Sequence, residues 1–187
     1  MKQDKMLYKL KKALDSQRYE HTLGVADTAR LMARCFHEDE EKAALAGLLH
    51  DCAKCLPLDK MIKAAKGEKP DAVMRESKAL MHALAGMCMA RELYGVEDEA
   101  VLSAIRWHTT GRPAMSLLEK IIYMADYIEP CRNFEGVEPL RKLAYENLDK
   151  AMALGLEMSI ADIRSYGNPV HEMSAAALAY YKKKATE

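Results

Sequence analysis

Ala43-Ala44-Leu45-Ala46-Gly47-Leu48-Leu49-His50-Asp51 is an apolar run that closes on an imidazole and a carboxylate. The run reads as a buried helix. A carboxylate beside it does not stay unpartnered, because burying an unpaired one costs several kcal/mol or more. Asp51 also falls where a helix C-terminus is expected, and the helix dipole opposes negative charge there. A bound cation removes both objections, so His50-Asp51 reads as half of a metal site set between helices.

Outward from this stretch the whole chain reads as helix. Apolar residues recur at three- and four-residue spacing, and nothing sustains a period of two. Helices are expected near 3–14, 18–36, 39–54, 58–66, 76–94, 97–108, 115–129, 137–146, 148–165 and 171–184. Breakers separate most of them: Pro57, Gly67 and Pro70, Gly95, Gly111 and Pro113, Pro130, Gly136, Gly167 and Pro169. The expected architecture is all-α, a compact helical bundle formed by one domain over 1–187. At 50% hydrophobic residues the chain carries enough apolar material for one sizeable core. The thirteen methionines read as filler between closely packed helices.

Six histidines laid on these helices make the pattern specific. His21 opens the second helix, His50 and Asp51 close the third, His82 lies within Ala79–Gly86, and His108 ends Val101–His108. Asp126 is enclosed by Ile121–Ile128. Four histidines and two aspartates thus occupy apolar contexts on five helices. Any one alone reads as a hydrogen-bonded core residue, but six together point to a shared centre. Imidazole with carboxylate suits iron, manganese, cobalt or zinc over an all-oxygen magnesium site. Such a metal drives hydrolysis by lowering the pKa of bound water and polarising the attacked atom. His37, within His37-Glu38-Asp39-Glu40-Glu41, reads as solvated and inert, and His171 is left undecided.

The order H…HD…H…H…D resembles the HD-domain metal-dependent phosphohydrolases. Four longer strings, Arg18–Ala26, Gly47–Lys54, Ile105–Arg112 and Ala125–Arg132, look like the YqeK-type symmetrical diadenosine tetraphosphate hydrolases, which release two ADP. The resemblance runs from about residue 6 to residue 173. It implies that His21, His50, Asp51 and Asp126 hold an iron ion. It gives catalytic roles to Asp51, His82 and His108, with the two histidines facing the open side, either on a second metal or on phosphate. It also implies substrate contacts from Arg18, Lys54, Thr109, Asp126 and Arg132, with Asn168-Pro169-Val170-His171-Glu172-Met173 closing over base or ribose. Two departures stand out: Cys52 replaces an aromatic residue, and His171-Glu172-Met173-Ser174 follows a His-Pro-x-Thr pattern only loosely. A homodimer is a further implication of the resemblance.

A tetraphosphate bridge suits this reading, because phosphoryl transfer is catalysed by positioning and charge neutralisation. Lys54 lies one turn past His50, and Arg112 and Arg132 flank breaks after ligand-bearing helices. Thr109-Thr110-Gly111 is a candidate anion-binding nest. Two competing readings are a phosphatase of mononucleotides or other small esters and a non-catalytic nucleotide- or metal-binding module.

Lys+Arg and Asp+Glu each number 28, so no global charge favours nucleic acid or a membrane surface. No apolar run approaches the length of a membrane span, and the first residues lack a signal-peptide core, so a cytoplasmic location is expected. Five cysteines show no disulfide spacing. Cys52-x-x-Cys55 lacks the partners of a zinc site and follows a helix, which leaves a redox role the weakest reading. Ordinary thiols are expected, with Cys35 and Cys88 filling the core.

Overall fold

The structure, a computed structural model, describes residues 3–186. Eleven helices stand among them: α1 (Gln3–Ala13), α2 (Ser16–Phe36), α3 (Glu40–Leu49), α4 (Leu58–Ala64), α5 (Ala72–Glu76), α6 (Lys78–Tyr94), α7 (Glu99–Trp107), α8 (Leu117–Ile128), α9 (Val137–Glu146), α10 (Leu148–Ser165) and α11 (Glu172–Lys184). No strand occurs among the described residues beyond one isolated bridge between Lys66 and Glu68. None of these helices is long and apolar enough to cross a membrane.

Two boundaries correct the sequence reading. The third helix ends at Leu49 rather than near 54, because tight turns follow, with Cys52 N–H donating to Leu49 O and Lys54 N–H to Asp51 O. The extra helix is α5, in a segment read as a Gly/Pro break. At five residues, with Met74 alone buried, it is too short to show an apolar period. Asp71 caps it by accepting from Met74 N–H.

Most helix starts follow from local chemistry. Asp15, Asp39, Asp98 and Asn147 each accept backbone N–H groups of the first turn, and Ser116 forms a reciprocal capping box with Glu119. Each such cap contributes roughly 1 kcal/mol. The C-terminus of α8 is held differently: the Arg141 guanidinium donates to the carbonyls of Ile128 and Glu129 (both 2.8 Å) and of Arg132 (2.7 Å). That contact sets the path of the chain immediately after Asp126.

α2 packs along α3 and α8, and α7 packs on α3, α6 and α8. Met32, Met61, Met81, Met124 and Met152 are wholly buried within one contiguous apolar cluster with Leu49, Ile105 and Ile121. Two glycines let the ligand-bearing elements close up. A Cβ on Gly47 would stand 2.9 Å from Ala26 Cα of α2, and one on Gly24 would stand 2.8 Å from Glu129 Oε2. Cys88 is buried as expected, whereas Cys35 is exposed and turned toward Tyr145 O, not into the core. All five thiols are free, so Cys52 and Cys55 are not joined.

Candidate metal centre

Helices α2, α6, α7 and α8 and the turn after α3 deliver His21, His82, His108, Asp126 and the His50-Asp51 pair to one place. His50 and His82 are fully buried, and Asp51, His108 and His21 nearly so. Two groups of three lie close enough to share an ion: His21, His50 and Asp126, and His50, Asp51 and His108.

Ring tautomers follow from the partners on the far nitrogens. His50 Nδ1 lies 2.6 Å from Gly47 O and His108 Nδ1 lies 2.7 Å from Ile105 O. A carbonyl only accepts, so Nδ1 carries the proton in both and the Nε2 lone pair faces inward. His21 Nδ1 sits 3.1 Å from the Glu129 carboxylate, which imposes the same tautomer. With these tautomers His21 Nε2 and His50 Nε2 carry no proton toward the carboxylates they face. His21 Nε2 is 3.1 Å from Asp126 Oδ1, and His50 Nε2 is 3.4 Å from Asp51 Oδ2 and 3.8 Å from Asp126 Oδ1. His21 Nε2, His50 Nε2 and Asp51 Oδ1 are buried without a hydrogen bond. Lone pairs and carboxylate oxygens converging in this way form a ligand set, and a divalent transition metal fits it.

The electrostatics agree. Burial works against ionised Asp51, yet His50, His108 and His82 hold its pKa well below the usual carboxylate value. Burial likewise opposes ionised Asp126, and His21, His50 and Arg132 overcome it. Burial disfavours protonated His50, but Asp51 and Asp126 raise its pKa. The field that favours a proton on Nε2 also attracts a metal ion.

His82 and His108 form the second half of the cluster, with Nε2 atoms 3.0 Å apart. Lys54 Nζ approaches His82 Nε2 at 3.1 Å, and Thr109 Oγ1 lies 3.3 and 3.1 Å from the two ring nitrogens. Burial and the Lys54 charge push His82 down to about 4, against the pull of Asp51. It is therefore neutral near pH 7.

Cations bracket the centre. Arg18 Nη1 donates to Asp51 Oδ2 at 2.8 Å, and Arg132 Nη2 donates to Asp126 Oδ1 at 2.6 Å. A cavity of about 1380 Å³ opens on this edge, lined by Lys54, His108, Thr109, Asp126 and Arg132 and by the apolar surfaces of Tyr127, Phe134 and Met158. Asn168, Pro169 and His171 reach its wall, whereas Val170, Glu172 and Met173 are not among the lining residues. The chain turns at His171 to cap α11, whose Nδ1 accepts from Met173 N–H, and Glu172 is left exposed on the outer turn. His171 Nε2 meets Asp71 Oδ2 at 2.8 Å and so ties α11 to α5.

Two sequence assignments change, and one residue gains a role. Arg112 does not face the centre, since its guanidinium forks onto buried Glu119 at 2.9–3.1 Å. Gly111 N–H donates to Trp107 O and is not free for an anion. Glu129 was quoted in the sequence without a role. It is buried, takes the His21 Nδ1 proton on Oε1 and accepts Cys131 N–H at 2.7 Å on Oε2. An acid three residues beyond a ligand, directly before Pro130, was its only local signal.

Comparison with known proteins agrees with this geometry. The family model described as HD domain matches residues 18–131. The chain is 40% identical over 171 residues to the symmetrical bis(5'-nucleosyl)-tetraphosphatase of Bacillus subtilis, covering 91% of this chain and 92% of that one. It is 42% identical over 173 residues to the enzyme of that name from Halalkalibacterium halodurans, with the same coverage. A crystal structure from Clostridium acetobutylicum, described as a predicted HD superfamily hydrolase involved in NAD metabolism, superposes with a TM-score of 0.95. It shares 45% identity over 98% of both chains. The chain belongs to the HD-domain family and, within it, to the symmetrical bis(5'-nucleosyl)-tetraphosphatases.

Proposed function

We propose that this protein hydrolyses diadenosine tetraphosphate at its central bridge to give two ADP. The observation that carries the reading is the buried convergence of three Nε2 lone pairs with two carboxylates, with Arg18, Lys54 and Arg132 around it. The relatives named for this activity, similar over nine-tenths of their length, support the choice of substrate.

In this reading His21, His50, Asp51 and Asp126 hold the metal, which we take to be iron. The ion supplies positive charge at the attacked phosphorus and lowers the pKa of a nearby water. The chain does the rest. Arg132 pairs with Asp126 and Arg18 with Asp51, and Lys54 stands 3.7 Å from Asp51 Oδ1, so three cations stand beside any phosphate that reaches the centre. Such preset charge stabilises charge developing on the transferred phosphoryl group. His82 and His108, with Thr109, present an adjacent polar edge that takes either phosphate oxygens or a second cation. Asn168, Pro169 and His171, which line the cavity, meet the nucleoside.

Products decide the matter. Chromatography of a diadenosine tetraphosphate digest by the iron-loaded protein should show ADP alone. AMP together with ATP would place attack off centre and overturn the symmetrical reading. Release of inorganic phosphate from AMP, with the dinucleotide untouched, would make the protein a mononucleotide phosphatase.

A further inference from the structure

A second cavity, of about 430 Å³, lies against the same centre and has no part in the reading above. Arg18, His21 and Arg132 line it together with the carboxylates of Asp15, Glu20 and Glu129 and with Gln17 and Cys131. The two cavities meet the cluster through different side chains. His108 and Asp126 face the larger one, His21 faces the smaller, and Arg132 lines both.

We propose that the smaller cavity is a second nucleoside subsite, which takes the half of the dinucleotide beyond the scissile bridge. The inference rests on the dinucleoside tetraphosphate reading and deepens it. A substrate cut at its centre has two equal halves, and neither nucleoside fits inside a cluster as buried as this one. One half then occupies the larger cavity and the other the smaller, with Arg132, which lines both, beside the bridge. A phosphate chain crossing the centre passes Arg132 and emerges beside Arg18.

Charge selects the occupant. The two arginines suit phosphate, and a guanidinium plane also stacks on a base. The carboxylates of Asp15, Glu20 and Glu129 repel additional phosphate, and a carboxylate accepts from ribose hydroxyls, so a nucleoside belongs there. The volume lies within the range of small-ligand sites, about 300–1,000 Å³.

Cys131 is exposed in this cavity and Cys35 is exposed elsewhere, beside α9, which provides an internal control. The metal-loaded protein is treated with N-ethylmaleimide, with and without a diadenosine tetraphosphate analogue carrying methylene at the central bridge. Peptide mapping should show labelling of Cys131 slowed about tenfold or more, with Cys35 unaffected. Unchanged labelling of Cys131 while the analogue fully inhibits hydrolysis would overturn the proposal. Gln17→Trp, at an exposed position, provides the second arm. The bulk of the indole should obstruct a nucleoside there and lower kcat/KM for diadenosine tetraphosphate about tenfold. Bound metal should stay constant, and an unaltered kcat/KM would also overturn the proposal. If the unsubstituted protein forms no ADP from the dinucleotide, the parent reading fails instead, and that control is run first.

Discussion

Asp51 has Arg18 at 2.8 Å, His82 at 3.0 Å, His50 at 3.4 Å and Lys54 at 3.7 Å, so one carboxylate balances the positive side of the whole centre. Asp51→Ala should abolish hydrolysis and strip bound metal while far-UV circular dichroism stays helical. A variant that kept both metal and turnover would show the pair to be structural. Glu129 acts one step removed, through His21. Glu129→Gln keeps one acceptor oxygen but turns an amide NH2 toward either the His21 Nδ1 proton or the Cys131 N–H, and it removes the charge that makes His21 a stronger ligand. Metal affinity should fall roughly 10–100-fold by competition with a chelator. Affinity equal to that of the unsubstituted protein would reduce Glu129 to a packing residue.

Among the elements, the α2–α3 contact sets the spacing of His21 from His50. Gly47 is where it is tightest, because a new Cβ would meet Ala26 backbone, which does not yield as a flexible side chain does. Gly47→Ala gains up to about 1 kcal/mol of helix propensity. Overpacking costs about 1–3 kcal/mol, so a net loss is expected. The melting temperature should drop and metal affinity should weaken with it, since the two ligand-bearing segments move apart. An unchanged or raised melting temperature would show that the helices have slack there. The short α5 illustrates the opposite case. Its one buried apolar side chain says little in sequence, and its place depends on packing against α4 and α6 and on the Asp71–His171 contact.

Over the whole molecule, burying a cluster of titrating groups ties stability to pH. His82 has a folded pKa of about 4 against an ordinary 6.5. Its contribution is therefore fully present above pH 6.5 and is lost as pH falls toward 4, because the unfolded chain takes up the proton first. The difference amounts to roughly 3 kcal/mol. In urea titrations of metal-free protein, the stability gap between the unsubstituted chain and His82→Gln should shift by about that much between pH 7 and pH 4. Parallel profiles for the two proteins would refute the assignment of a buried neutral imidazole. His50, whose pKa is raised, works in the opposite direction, so the comparison with the variant is needed to isolate His82.

The sequence by itself determined the all-helical architecture, most helix starts and the residues brought to the centre. Helical period and capping act within a few residues, and six ionisable groups in oily contexts demand a common partner. It misjudged what depends on distant neighbours. Arg112 looked free until Glu119 turned inward to meet it, and Cys35 looked buried until α2 showed which side faced solvent. Only the tertiary structure decided that Glu129 holds His21 across 108 positions of chain, which ring nitrogens face the centre, and that a second cavity lies behind Arg132. The ring orientations of His50 and His108 follow from carbonyls three residues back, at Gly47 and Ile105, once the helix ends are in place. The Glu129 contact and the second cavity depend on how helices pack, and packing joins residues whose separation in sequence carries no periodic signal.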